Sequence, residues 1–160
     1  MEGHDFYNKN ILVTGASGFI GSHLAQRMGE ENARVSVLVR KTSDLWRLAN
    51  IKDEIAIYKA DLRDGSRLKD CIKELKPDYV FHMAAYGVDF RQTDSIIAAE
   101  TNIIGTINLM NALKQTGCEK FLNIGSCMEY GDKKEIVKED APLEPFNIYG
   151  STKAAATIMA

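Results

Sequence analysis

The sequence predicts an α/β fold: one doubly wound parallel sheet, strand order about 3-2-1-4-5, in a single domain over residues 1–160. Three observations predict it. Short apolar runs alternate with stretches of helical periodicity, the pattern of successive βαβ units. The apolar runs are rich in Val, Ile and Leu, as in strands covered on both faces. The intervening stretches have the length of right-handed crossover helices.

Each element follows from its residues. NILVT, residues 10–14, is the first strand. Residues 19–30 form a helix, with Ile20, Leu24, Arg27 and Met28 at helical spacing. VSVLV, residues 35–39, is the second strand. Residues 43–49 are expected to make a short helix with Ser43 or Asp44 near its start. Residues 55–60 are the third strand. A helix over 65–75 puts Leu68, Cys71, Ile72 and Leu75 on one face, and Pro77 stops it. YVFH, residues 79–82, is the fourth strand. A long helix runs from about 93 to 116 and ends at Gly117. KFLNI, residues 120–124, is the fifth strand. Residues 126–148, with Pro142 and Pro145, are mostly loop, and a last helix begins at Tyr149.

Composition excludes several classes. Of 160 residues, 45% are hydrophobic and 26% charged, which suits a globular domain with a real core. The formal net charge of -2 offers no basic face for nucleic acid or an anionic membrane. No run of about 18 apolar residues is evident, so no membrane-crossing helix is expected. The N-terminus, MEGHDFYNKN, lacks the apolar stretch of a signal peptide. Cys71, Cys118 and Cys127 form no metal-ligating spacing. Their odd count, without a secretion signal, argues for reduced thiols in a cytoplasmic protein.

Gly15, Gly18 and Gly21 stand at three-residue intervals between the first strand and the first helix, in TGASGFIG. Residues without Cβ let the backbone close tightly and approach a pyrophosphate at the helix N-terminus. The interval is G-x-x-G where the usual dinucleotide fingerprint has G-x-G. Much later come Ser126 and then YGSTK, which puts Tyr149 and Lys153 one helical turn apart. A phenol has a pKa of ~10, too high for a base at neutral pH, and a neighbouring ammonium favours its phenolate. A serine hydroxyl nearby could bond the same substrate oxygen. These groups suit proton transfer at a carbinol or ketone oxygen.

In these motifs the chain resembles the extended short-chain dehydrogenase/reductase family, whose nucleotide-sugar epimerases, dehydratases and reductases share a Rossmann-like fold. TGASGFIG resembles its TGxxGxIG, DLRD (61–64) its D-x-x-D, HMAA (82–85) its H-x-A-A and NIIGT (102–106) its N-x-x-G-T. GSCMEYG and YGSTK complete the set. The resemblance implies cofactor contacts from Gly15, Ser17, Gly18, Phe19, Ile20, Gly21, Asp61, Leu62, Ala84 and Ala85, with Asp61 on the adenine. It implies that Tyr149 is the acid/base, that Lys153 tunes it and holds the nicotinamide ribose, and that Ser126 orients the substrate. Asn102 is expected to bond backbone near the site. His82, Met83 and Met128 are expected as wall, and Cys127 as a small buried hydrophobe. No metal is implied. Family members are about twice as long, so the chain is expected to stop before the C-terminal substrate domain and to form a homodimer when complete.

The second strand ends in Val39-Arg40-Lys41, with no carboxylate before Asp44. An arginine there can clamp a 2′-phosphate, so NADP is the expected cofactor, with NAD possible. The family's 4,6-dehydratases carry acids where this chain has Cys127 and Met128, and Glu129 is one place too late. That leaves a 4-keto reductase of a nucleotide-sugar, or an epimerase with bound NAD(P). An NADP-binding regulator is the remaining reading, and the intact trio weighs against it.

Overall fold

The structure is a computed structural model that describes residues 6–160. Five parallel strands form one sheet in the order β3-β2-β1-β4-β5, as the sequence predicts. They are β1 (Asn10–Thr14), β2 (Arg34–Val39), β3 (Ala56–Lys59), β4 (Tyr79–His82) and β5 (Lys120–Asn123). The helices are α1 (Phe19–Glu30), α2 (Gly65–Leu75), α3 (Ser95–Ala99), α4 (Gly105–Thr116) and α5 (Ile148–Met159).

Two cores sandwich the sheet. On one face Leu12, Leu38 and Val80 meet Leu68, Cys71 and Ile72 of α2 and Leu109, Ala112 and Leu113 of α4. On the other Ile11, Val13, Val35, Val37 and Val39 meet Ala25 and Met28 of α1. Only the central strands are covered on both faces. β3 and β5 are the edge strands of the described sheet, and their residues are largely exposed, unlike the all-buried strands expected, because the helices pack over the sheet's middle.

Four local expectations are corrected. Residues 43–49 form only a single tight turn, Trp46–Leu48, because Asp44 Oδ1 accepts from Trp46 N–H and closes the chain early. The buried face of α1 is Gly21, Ser22, Ala25 and Met28, while Ile20 is exposed. Small residues let α1 lie close on the sheet, and a larger side chain must turn away. The long helix begins at Ser95, where Asp94 accepts from Ile96 and Ile97 N–H. Five of its residues, Glu100–Ile104, widen into a π-turn. Finally, the 22-residue stretch Ser95–Thr116 is long and apolar enough to cross a membrane, against the expectation. Its buried residues here include Ala98, Asn102, Gly105, Thr106 and Leu109, which pack within the fold.

Candidate active site

At the carboxyl ends of the strands the chain forms a cleft of about 920 Å³. Ligands of open α/β sheets bind there, where the strand order reverses. Gly15, Ser17, Gly18, Phe19, Ile20, Gly21, Arg40, Asp61, Leu62, Ala84 and Ala85 all line it. The structure thus brings together every residue expected at the cofactor except Tyr149 and Lys153, which flank the cleft without lining it.

The cradle at β1–α1 is closed by backbone contact. Gly15 has φ +69°, and a Cβ there would stand 2.7 Å from Ala84 N. A Cβ on Gly21 would stand 2.4 Å from Gly15 O. Gly18 is the N-cap of α1, and no side chain caps that helix. Its first amides are left for a ligand, and the helix dipole favours an anion. This backbone fits a pyrophosphate, so the residues present fit a dinucleotide.

At the other end lie Arg40, Ser43 and Arg47. Ser43 Oγ accepts from Arg40 N–H at 3.1 Å, and the Arg47 guanidinium stacks 4.2 Å above the Trp46 ring. Asp44 is not part of the lining. Asp61 is held by Arg63, through Nε at 3.0 Å and Nη2 at 2.9 Å. Arg63 keeps the Asp61 carboxyl below the usual carboxylate range, with a smaller contribution from Arg40. Sequence reasoning did not assign Ser43 or Arg47. Their signal was two further polar groups in the connection that follows Arg40.

A chain of buried hydrogen bonds stands behind the cradle. Met83 and Ala84 N–H donate to Thr14 Oγ1, each at 3.2 Å. Thr14 Oγ1 is 2.7 Å from His82 Nδ1, His82 Nε2 is 3.0 Å from Thr106 Oγ1, and Thr106 donates to Asn102 O at 2.7 Å. With both hydroxyls so engaged, Thr14 donates to Nδ1 and the Nε2–H donates to Thr106. His82 is therefore neutral, and burial, helped by the charge of Lys153, pushes its pKa down to about 3. It is a packed strut, as expected of a wall residue.

Asn102 sits in the π-turn and is fully buried. Its Oδ1 accepts from Tyr86 N–H at 2.8 Å, and its Nδ2 donates to Tyr86 O and to Thr152 Oγ1, both at 2.9 Å. It therefore ties the segment after β4 to α5, beside Lys153. Asn147 caps α5 by accepting from Gly150 N–H at 2.7 Å. A Cβ on Gly150 would stand 2.4 Å from Met128 O, so only glycine lets α5 lie this close to the turn after Ser126. Gly87 packs against the Tyr149 ring, where an added Cβ would stand 3.2 Å from Cδ2.

Lys153 is 5% exposed, and its Nζ donates to Ile124 O, a residue of the cleft wall. Burial pushes its pKa below the usual lysine value, and Glu129 draws it partly back up. Ser126 Oγ accepts from Met128 N–H at 3.2 Å and caps the turn Cys127–Glu129. Cys127 is exposed, contrary to the buried role expected, because it opens this surface turn. Cys71 packs in the α2 core, and Cys118 packs against it. Among the described residues no group of three His, Cys, Asp or Glu could hold a metal ion.

A family model described as the NAD dependent epimerase/dehydratase family matches residues 11–160. The chain belongs to this family. It is 31% identical over 159 residues to a CDP-glucose 4,6-dehydratase of Salmonella typhimurium, with 95% of this chain and 44% of that protein covered. It is 30% identical over 155 residues to UDP-glucose 4-epimerase 2 of Arabidopsis thaliana, with 91% and 44% covered. Among solved structures, the Bordetella bronchiseptica enzyme WbmG in complex with NAD and UDP superimposes with a TM-score of 0.85. The identity there is 27%, over 94% of this chain and 48% of that one. This family member thus spans about half the length of the curated relatives it matches.

Proposed function

We propose that residues 1–160 form the dinucleotide-binding domain of an NAD(P)-dependent enzyme that reduces the 4-keto group of a nucleotide-sugar. One observation carries the chemistry: Lys153 is buried against Ile124 O at the cleft wall, one helical turn from Tyr149. Tyr149 hands a proton to the substrate oxygen or takes one from it, with the Lys153 ammonium one turn along the same helix. Ser126, at the start of the facing turn, orients that oxygen. The nicotinamide, when bound, supplies the hydride. The uncapped start of α1 holds the pyrophosphate, and Asp61 takes the adenine.

Arg40, Ser43 and Arg47 favour NADP. Three groups able to bond a 2′-phosphate converge there, and the carboxylate in reach, Asp61, is engaged by Arg63. The names of the relatives favour a second reading, an epimerase that keeps NAD bound and returns hydride to the opposite face. Against elimination stand Cys127 and Met128, which offer no acid where the family's dehydratases have them. The enzyme is proposed to be a cytoplasmic homodimer, with neither nucleic acid nor membrane as partner.

The test is turnover by the full-length protein with 4-keto nucleotide-sugars and NADPH. Net NADPH oxidation is expected, and Tyr149→Phe should lower kcat by on the order of 10²-fold with cofactor affinity little changed. Interconversion of 4-hydroxy epimers without net oxidation would replace the reductase by the epimerase. Near wild-type turnover in Tyr149→Phe would remove the acid/base assignment from both.

A further inference from the structure

Glu129 has no part in the chemistry above, yet it is 2% exposed. Among the described residues, Glu129 and Lys153 are the only buried side chains that carry a formal charge, His82 being neutral. Both are anchored on one short stretch of backbone. Lys153 Nζ donates to Ile124 O, and Glu129 Oε1 accepts from Ser126 N–H at 2.6 Å. Between them lies Gly125, where a Cβ would stand 3.2 Å from Glu129 Oε1. The two charges form no direct ion pair, so the field acts through space across residues 124–126.

A buried ion without a counter-charge is costly, and the usual outcome is that it loses its charge. The role assigned to Lys153 requires it to stay an ammonium. Tyr149 stands one turn earlier on the same helix, and His82 of β4, which faces Lys153, is neutral and offers no negative charge. Glu129 offers one.

We propose that Glu129 is a positioning residue of this site, which keeps Lys153 charged and fixes the turn that presents Ser126. The proposal rests on the assignment of Ser126, Tyr149 and Lys153 to the reaction. It has two separable parts, a charge felt by Lys153 and a hydrogen bond to Ser126 N–H. Burial already lowers the Lys153 pKa, and Glu129 opposes that shift. Removing the carboxylate therefore lowers it further.

The experiment is an NMR titration of the full-length protein with 15N-labelled lysine, in which Lys153 is identified by the signal lost in Lys153→Met. Glu129→Gln keeps an oxygen for Ser126 N–H and removes the charge. Its Lys153 midpoint is expected to fall by on the order of one pH unit. Glu129→Asp and Glu129→Asn repeat the comparison at a shorter length, so a folding defect in one pair leaves the other to decide. The Asp variant should titrate Lys153 above the Asn variant. An unmoved Lys153 midpoint in Glu129→Gln, or equal midpoints within the shorter pair, would overturn the proposal. Failure of the trio itself reads differently: Lys153→Met would then turn over like wild type, whatever the midpoints.

Discussion

Arg40 is exposed at the end of β2 and lines the cleft beside Ser43 and Arg47. Arg40→Asp should weaken NADPH binding at least tenfold and favour NADH, since it replaces a charge-assisted donor by a like charge. Calorimetric titration of both cofactors checks this, and equal or tighter NADH binding by wild type would sink the NADP reading. His82 gives a pH prediction. In an unfolded chain it titrates near 6.5, and in the fold at about 3. Its neutral form supports folding fully above about 6.5, and that support is lost as pH falls toward 3, by up to ~1.4 kcal/mol per pH unit. Urea midpoints at pH 7.5 and 5.5 should therefore diverge in wild type and lie closer together in His82→Asn. Equal divergence in both proteins would show that another group governs the acid limb.

The long helix is where one element serves both fold and site. Its π-turn aims Asn102 at Tyr86 and Thr152 at once. Asn102→Ala leaves the Tyr86 amide without its acceptor, which alone costs ~1–3 kcal/mol. The thermal midpoint should drop, and kcat with it, since Thr152 precedes Lys153. A melt unchanged within error would show that the tie does not matter. The sequence disclosed the bounds of β1, α1, α2 and β4 without error, because apolar periodicity, glycine and proline mark them locally. It disclosed the part of the cleft lining that falls on the family motifs at strand ends, and missed Ser43, Arg47 and the segment from Tyr86 to Gln92. It did not disclose the π-turn, since hydrogen-bond phase within a helix leaves no pattern in residue types. Nor did it disclose the small-residue face of α1, because close approach to a sheet selects for Gly, Ser and Ala over the apolar residues that periodicity counts. Glu129 escaped for a third reason: its role comes from Lys153, 24 positions away, and only the fold joins them.

At the scale of the molecule, apolar side chains remain uncovered along α3, the π-turn at Ile104, and α5. Ile96 is 67% exposed, Ile148 53% and Ile158 75%. A patch of this kind marks an interaction surface, and a second copy of the chain is the proposed occupant. Light scattering of the full-length protein should give a dimer at micromolar concentration, and a clean monomer would count against it. The 160-residue chain alone should bind NADPH, since the whole adenosine end lies within it, yet turn over no nucleotide-sugar. Robust turnover by it would show that no further substrate-binding part is required. The connection from Arg40 to Arg47 adds something about history. Its polar residues lie outside both cores, and Leu45 and Leu48 pin its far end to the second of them. On the NADP reading proposed above, mutations there would exchange one dinucleotide for another while the sheet, the cradle and the proton-handling groups stay as they are. Cofactor preference would then be free to drift faster than the chemistry it serves, and an engineer could retune it within eight positions.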